Sequence, residues 1–133
     1  MRMRKKKNSD ARISRCLQYL VEDPAAMRGK WRGAFASPAE ELRLEIGCGK
    51  GGFVCESALR EPGVNFIAVE RVKDCLVMAL EKAKAMELKN VLFVLGDAAL
   101  LPEMFCEGEL SCIYLNFSDP WPSNRHRSRR LTS

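Results

Sequence analysis

Four acidic residues stand in or just after runs of apolar, β-branched or aromatic residues. They are Glu45 within LRLEI, Glu70 closing VNFIAVE, Asp97 two residues past VLFVL, and Asp119 shortly after LSCIYLNF. Behind Glu45 comes a glycine turn, GCGKGG, whose Gly47, Gly49 and Gly52 satisfy G-x-G-x-x-G. A turn of this kind between a strand and a helix suits a nucleotide, and Glu70 falls roughly where the ribose-binding acid of a dinucleotide site would. Three features argue against phosphates at this place. Glu45 brings a carboxylate to the turn two residues before the first glycine, where pyrophosphate is repelled and a cation attracted. Asp97 and Asp119 add further negative charge, and no G-K-[ST] sequence follows the glycines. The expected ligand carries ribose and positive charge and lacks phosphate.

S-adenosylmethionine has those properties. Its sulfonium and ammonium groups are positive, its ribose diol can donate two hydrogen bonds to one carboxylate such as Glu70, and its adenine amino group can donate to Asp97. Any one of these acids alone reads as a solvated loop carboxylate, whereas four at successive strand ends read as one rim. The glycine match by itself keeps an NAD-binding oxidoreductase open as an alternative.

The fourth acid lies in the corner NFSDPWP, where Pro120 and Pro122 stiffen the chain and Trp121 offers an aromatic face for a planar base. A basic run follows at once: Arg125, His126, Arg127, Arg129 and Arg130. The chain also starts MRMRKKK, so the net charge of +5 is concentrated at the two ends. Basic ends around a near-neutral middle suit a polyanion lying across one face, and equally a solubilising surface. A third reading of the chain is therefore a non-catalytic RNA-binding fragment.

These residues need a frame, and the pattern supplies one. Ile13, Cys16, Leu17, Leu20 and Val21 keep helical spacing over residues 9–22, after a Ser9/Asp10 cap, with Pro24 as the stop. LRLEI, VNFIAVE, VLFVL and LSCIYLNF read as strands, separated by helices at about 52–60 and 72–88, the second closed by Asn90, and by a short helical turn in LLPEMF. Strands alternating with helices at these spacings give an α/β fold, a parallel sheet flanked by helices with right-handed crossovers. Ligands bind such sheets at the carboxyl ends of the strands, where the four acids fall.

The 133 residues suit a single domain, divided into an N-terminal helix and basic arm (1–41), a Rossmann-like core (42–119) and a basic tail (120–133). No apolar run approaches the ~20 residues of a membrane span, and the polar NSDAR after the basic start is no secretion signal, so the expected location is cytoplasmic, with no membrane partner. Six scattered cysteines, none in a C-x-x-C, and a single histidine predict reduced, mostly buried thiols and no metal site.

LEIGCGKG, Glu70, Asp97 and above all YLNFSDPWP followed by RH and RRLT resemble the bacterial tRNA (guanine-N7)-methyltransferases. RGKW (28–31) and the basic start extend the similarity through nearly the whole chain. The resemblance implies a Rossmann-like class I methyltransferase fold, S-adenosylmethionine as cofactor and tRNA as partner. It implies that Glu45, Gly47, Glu70, Asp97 and Asp119 hold the cofactor, that Asp119 is also at the reaction centre, and that Arg125, His126, Arg127, Arg129 and Arg130 touch RNA. Ser123 stands where the family usually has a lysine beside its substrate. The family chain also continues well past RRLT, which predicts a fold left incomplete after its fourth strand, with 110–117 as an unprotected or half-covered edge.

Overall fold

Five strands form one sheet in the order β3-β2-β1-β4-β5. A computed structural model describes residues 2–116 and 125–128, with side chains over 8–116. β1 (Glu41–Ile46), β2 (Val64–Glu70), β3 (Val91–Leu95) and β4 (Cys112–Asn116) run parallel, as the alternating pattern predicts. From β1 the chain builds outward through β2 to β3, then returns to place β4 on the other side of β1. The strand order thus reverses between β1 and β4, which opens a crevice at their carboxyl ends.

Every residue of β2 is buried, because this inner strand is covered on both faces. Helices α2 (Gly52–Arg60) and α3 (Lys73–Ala85) close one face, with Val54, Cys55, Leu76, Leu80, Phe66 and Phe93 in one apolar cluster. On the other face Leu42, Leu44, Ile67 and Ile113 pack with Trp31, Met104 and Phe105, the latter two from and just after the short α4 (Leu101–Met104). The period of two along β1 therefore sends Leu42 and Leu44 one way and Arg43 and Glu45 the other.

The N-terminal segment departs from the predicted helix over 9–22. Helix α1 spans Arg2–Ser14, and a 3-10 turn follows at Leu17–Tyr19. Tyr19 turns inward, donating to the Leu88 carbonyl at 2.8 Å, and the next residues act as an edge cover: Leu20 bridges Phe93, and the Val21 N–H donates to the Phe93 carbonyl at 2.8 Å. The apolar spacing past Cys16 thus serves the open side of β3 rather than a helical stripe. Helix α1 lies parallel to α3, with Ser9 donating to Asp74 at 3.0 Å, Lys73 paired with Asp10, and Arg12 gripping Glu81 with two hydrogen bonds of 2.6 and 2.8 Å. Residues ahead of Ser9 accordingly extend past the start of α3, on the rim formed by the strand ends.

Two further expectations change. Helix α3 ends at Ala85 rather than near Leu88 with Asn90 as its close, because Glu87 takes a left-handed φ of 54°. Asn90 is buried, and its Nδ2 donates to the carbonyls of Ala58, Glu61 and Val64, tying the end of α2 to the start of β2. At the other edge β4 is not left open. The backbone of β5 (Arg125–Ser128) pairs with it antiparallel, from Asn116 opposite Arg125 to Ile113 opposite Ser128.

Candidate functional site

The crevice at the strand reversal is a cavity of about 190 Å³. Ile46 and Gly47 enter it from β1, Val69, Glu70 and Arg71 from the end of β2, Gly96 and Asp97 from the end of β3, and Asn116 from the end of β4. Four strands thus deliver residues to one place, with Glu70 and Asp97 the two of the four predicted rim acids among the described lining.

Local geometry explains why the turn after β1 is glycine-rich. Gly47 has φ +76°, and a Cβ on it would stand 2.8 Å from the Asn116 carbonyl oxygen. Gly51 has φ +87°, and a Cβ there would stand 2.8 Å from the Ala79 Cβ on α3. The first glycine lets β4 approach the turn, and the other lets α3 pack beneath it. Gly51 lies outside the G-x-G-x-x-G positions, so its packing role was not part of the motif.

Glu70 is 8 % exposed, and its carboxylate is held by two backbone donors. Oε1 accepts from the Gly49 N–H at 2.8 Å, and Oε2 accepts from the Val72 N–H at 3.0 Å. One side chain therefore fixes both the glycine turn and the entrance to α3. A carboxylate has about four acceptor positions, so each oxygen keeps capacity for a hydroxyl donor from the cavity. Asp97 is exposed in the loop after β3, next to Gly96, whose N–H donates to the Glu70 carbonyl at 3.0 Å, and its Oδ1 accepts from the Ala99 N–H at 3.0 Å and caps a 3-10 turn. Glu45 differs from both. It is 1 % exposed, on the α2/α3 side of β1, and is not among the described residues lining the cavity.

Of the other predicted residues, Arg125, His126 and Arg127 are placed by backbone alone, in β5 beside β4. Asp119, Trp121, Ser123, Arg129 and Arg130 lie outside the described residues. The cysteines are free. Burial, with a smaller contribution from the Glu70 charge, pushes the Cys48 thiol far above its ordinary range, and burial pushes Cys55 up to about 11. Among the described residues no cluster of His, Cys, Asp and Glu could hold a metal ion.

Three residues at work here are not singled out by the sequence pattern, although Asn116 opens the NFSDPWP corner. Asn116 donates from Nδ2 to the Gly47 carbonyl at 2.6 Å, and Arg71 brings a cation to the cavity wall. Glu109 is buried and accepts backbone N–H groups from Gly29, Trp31 and Cys106 at 2.9, 3.1 and 3.0 Å. Together with the fully buried Trp31, whose Nε1 donates to the Met104 carbonyl at 2.8 Å, Glu109 explains RGKW as an anchor of the second core rather than as part of the cavity.

Known proteins fit this frame. A family model described as "Putative methyltransferase" matches residues 39–133. The chain belongs to that methyltransferase family. Similar curated proteins include the tRNA (guanine-N(7)-)-methyltransferases of Geobacillus kaustophilus, 46 % identical, and of Geobacillus thermodenitrificans, 45 % identical, each aligned over 99 % of this chain. The chain spans about 60 % of the length of these relatives (60 % and 61 %). Among solved structures, an antibiotic-resistance methyltransferase superposes with a TM-score of 0.52 at 28 % identity, covering 63 % of this chain and 44 % of its own. An antibiotic-related methyltransferase gives 0.52 at 25 %, covering 62 % and 42 %. The parallel sheet flanked by helices is thus the class I methyltransferase fold expected from the sequence.

Proposed function

We propose that this chain carries the cofactor half of a methyltransferase that moves a methyl group from S-adenosylmethionine to N7 of a guanine in tRNA. The observation that carries the reading is the convergence of the glycine turn, Glu70 and Asn116 on one cavity, in a member of a methyltransferase family. Glu70 suits the ribose diol, since its oxygens are already oriented by Gly49 and Val72. Asp97, at the end of the neighbouring strand, suits an adenine amino group. Gly47 gives the ligand close access to backbone, whereas Glu45, 1 % exposed and outside the described lining, is assigned no contact with the ligand. Arg71 is one cation against the carboxylates of Glu70 and Asp97, and the relatives above are methyltransferases, so the NAD reading gains no support.

When bound, S-adenosylmethionine supplies an electrophilic methyl group on a sulfonium. Guanine N7 has an in-plane lone pair and no proton, so its attack needs no general base, and the methylated ring becomes cationic. Asp119 is therefore cast as orienting and electrostatically stabilising rather than as a proton acceptor. Arg125, His126, Arg127, Arg129 and Arg130 are assigned to phosphate contacts, which position RNA without reading its sequence. The basic start, carried by α1 beyond the start of α3, is assigned to the same partner. Ser123, lacking the lysine's charge, is a weak substrate contact. A tRNA substrate implies work in the cytoplasm.

Incubation with methyl-labelled S-adenosylmethionine and unmodified tRNA, followed by identification of the labelled base, tests the proposal. It predicts 7-methylguanine. Label on an exocyclic amino group or on protein overturns the target, and RNA binding without transfer supports the non-catalytic reading.

A further inference from the structure

The two walls of the cavity are fastened to each other at Asn116. Its Nδ2 donates to the Gly47 carbonyl at 2.6 Å, and its own carbonyl oxygen stands where a Gly47 Cβ would come within 2.8 Å. Gly47 is held from a third direction, since its N–H donates to the Val69 carbonyl at 2.7 Å. Asn116 is half-buried, lines the cavity, and is the last residue of β4. The next residues in the sequence are FSDPWP, the corner assigned above to the base.

We infer that Asn116 is a positioning residue that holds the end of β4, the strand whose sequence runs on into the base-gripping corner, against the cofactor turn, an inference that rests on the methyltransferase reading. Methyl transfer between two bound molecules needs donor and acceptor held in line, and a misplacement of about 1 Å costs on the order of 100-fold in rate. The amide joins the turn that would carry one reactant to the strand end that leads into the grip on the other. Its loss slackens their alignment more than it weakens either binding event.

Two substitutions separate this role from plain packing. Asn116→Ala removes the donor, and kcat falls by about 10–100-fold while affinity for S-adenosylhomocysteine changes by less than about threefold. Asn116→Asp keeps the shape, but its ionised carboxylate cannot donate to the Gly47 carbonyl. Protonation restores an O–H donor, so its kcat relative to the parent chain recovers as pH falls from 8 towards 5, whereas the Asn116→Ala ratio stays flat. The Asp variant is compared with itself across pH, which makes its folding its own control.

Parent-like kcat in both variants overturns the inference. So does a kcat loss matched by equal loss of cofactor affinity, or an Asp variant whose deficit ignores pH. If the parent chain transfers no methyl to tRNA, the function reading fails, and the inference is decided by binding alone. S-adenosylhomocysteine affinity is then measured with and without saturating tRNA. Coupling present in the parent and absent in Asn116→Ala supports the inference, and no difference between them overturns it.

Discussion

Gly47 answers to two constraints at once, a left-handed φ of +76° and a strand carbonyl pressed against the place where its Cβ would be. The Gly47→Ala substitution is therefore expected to lower stability by about 1–3 kcal/mol and to push β4 away from the turn. Thermal unfolding, with S-adenosylhomocysteine binding measured on the folded fraction, checks both effects. A variant with parent stability and affinity would contradict the close approach. At this scale the sequence is readable where chemistry forces a residue type. Glycines in a strand-to-helix turn and an acid at the end of the next strand announce themselves. The roles of Asn116 and Glu109 do not, because a half-buried amide or a buried carboxylate acquires its role from backbone groups some 70 to 80 residues away in the chain.

Helix α1 is the element most dependent on charge. Arg12 donates to Glu81, which draws the Glu81 carboxyl below its ordinary range, and the same bond raises Arg12. A carboxyl lowered on folding contributes stability above its unfolded value and loses it as pH falls through the folded one. An arginine raised on folding keeps its contribution until strongly alkaline pH. The docking of α1 on α3 is thus complete near neutrality and weakens in acid, below the ordinary glutamate value of ~4.3. Both side chains are about a third exposed, so the effect is modest and salt weakens it further. Amide hydrogen exchange, corrected for its intrinsic pH dependence, should show protection in α1 falling in acid before that in α3. Unchanged α1 protection would remove the pair as its fastener. The sequence correctly marks Ile13 and Cys16 as apolar contacts but extends the helix past them, since spacing alone cannot separate a helical stripe from a segment laid along a sheet edge. For the same reason β5 is unreadable: RHRS has no apolar alternation, and its pairing with β4 is a matter of backbone hydrogen bonds.

Across the whole molecule, the order of four parallel strands and their helices is legible because each strand is an apolar run closed by turn residues. The location of the cavity follows from the order within the sheet, whose reversal between β1 and β4 the succession along the chain does not give. The sequence does not reveal which rim acids face the cavity. Glu70 and Asp97 do, while Glu45 is sealed beneath the turn, a distinction set by the two-residue period of β1 and the helices that cover it. The cavity is proposed to hold S-adenosylmethionine through Glu70. Calorimetric titration of S-adenosylhomocysteine into the parent chain and into Glu70→Ala tests it most directly. One ligand per chain is predicted for the parent, with affinity at least about tenfold weaker in the variant, the loss expected when charge-assisted hydrogen bonds are removed. No heat at millimolar ligand, or binding indifferent to Glu70, would contradict it.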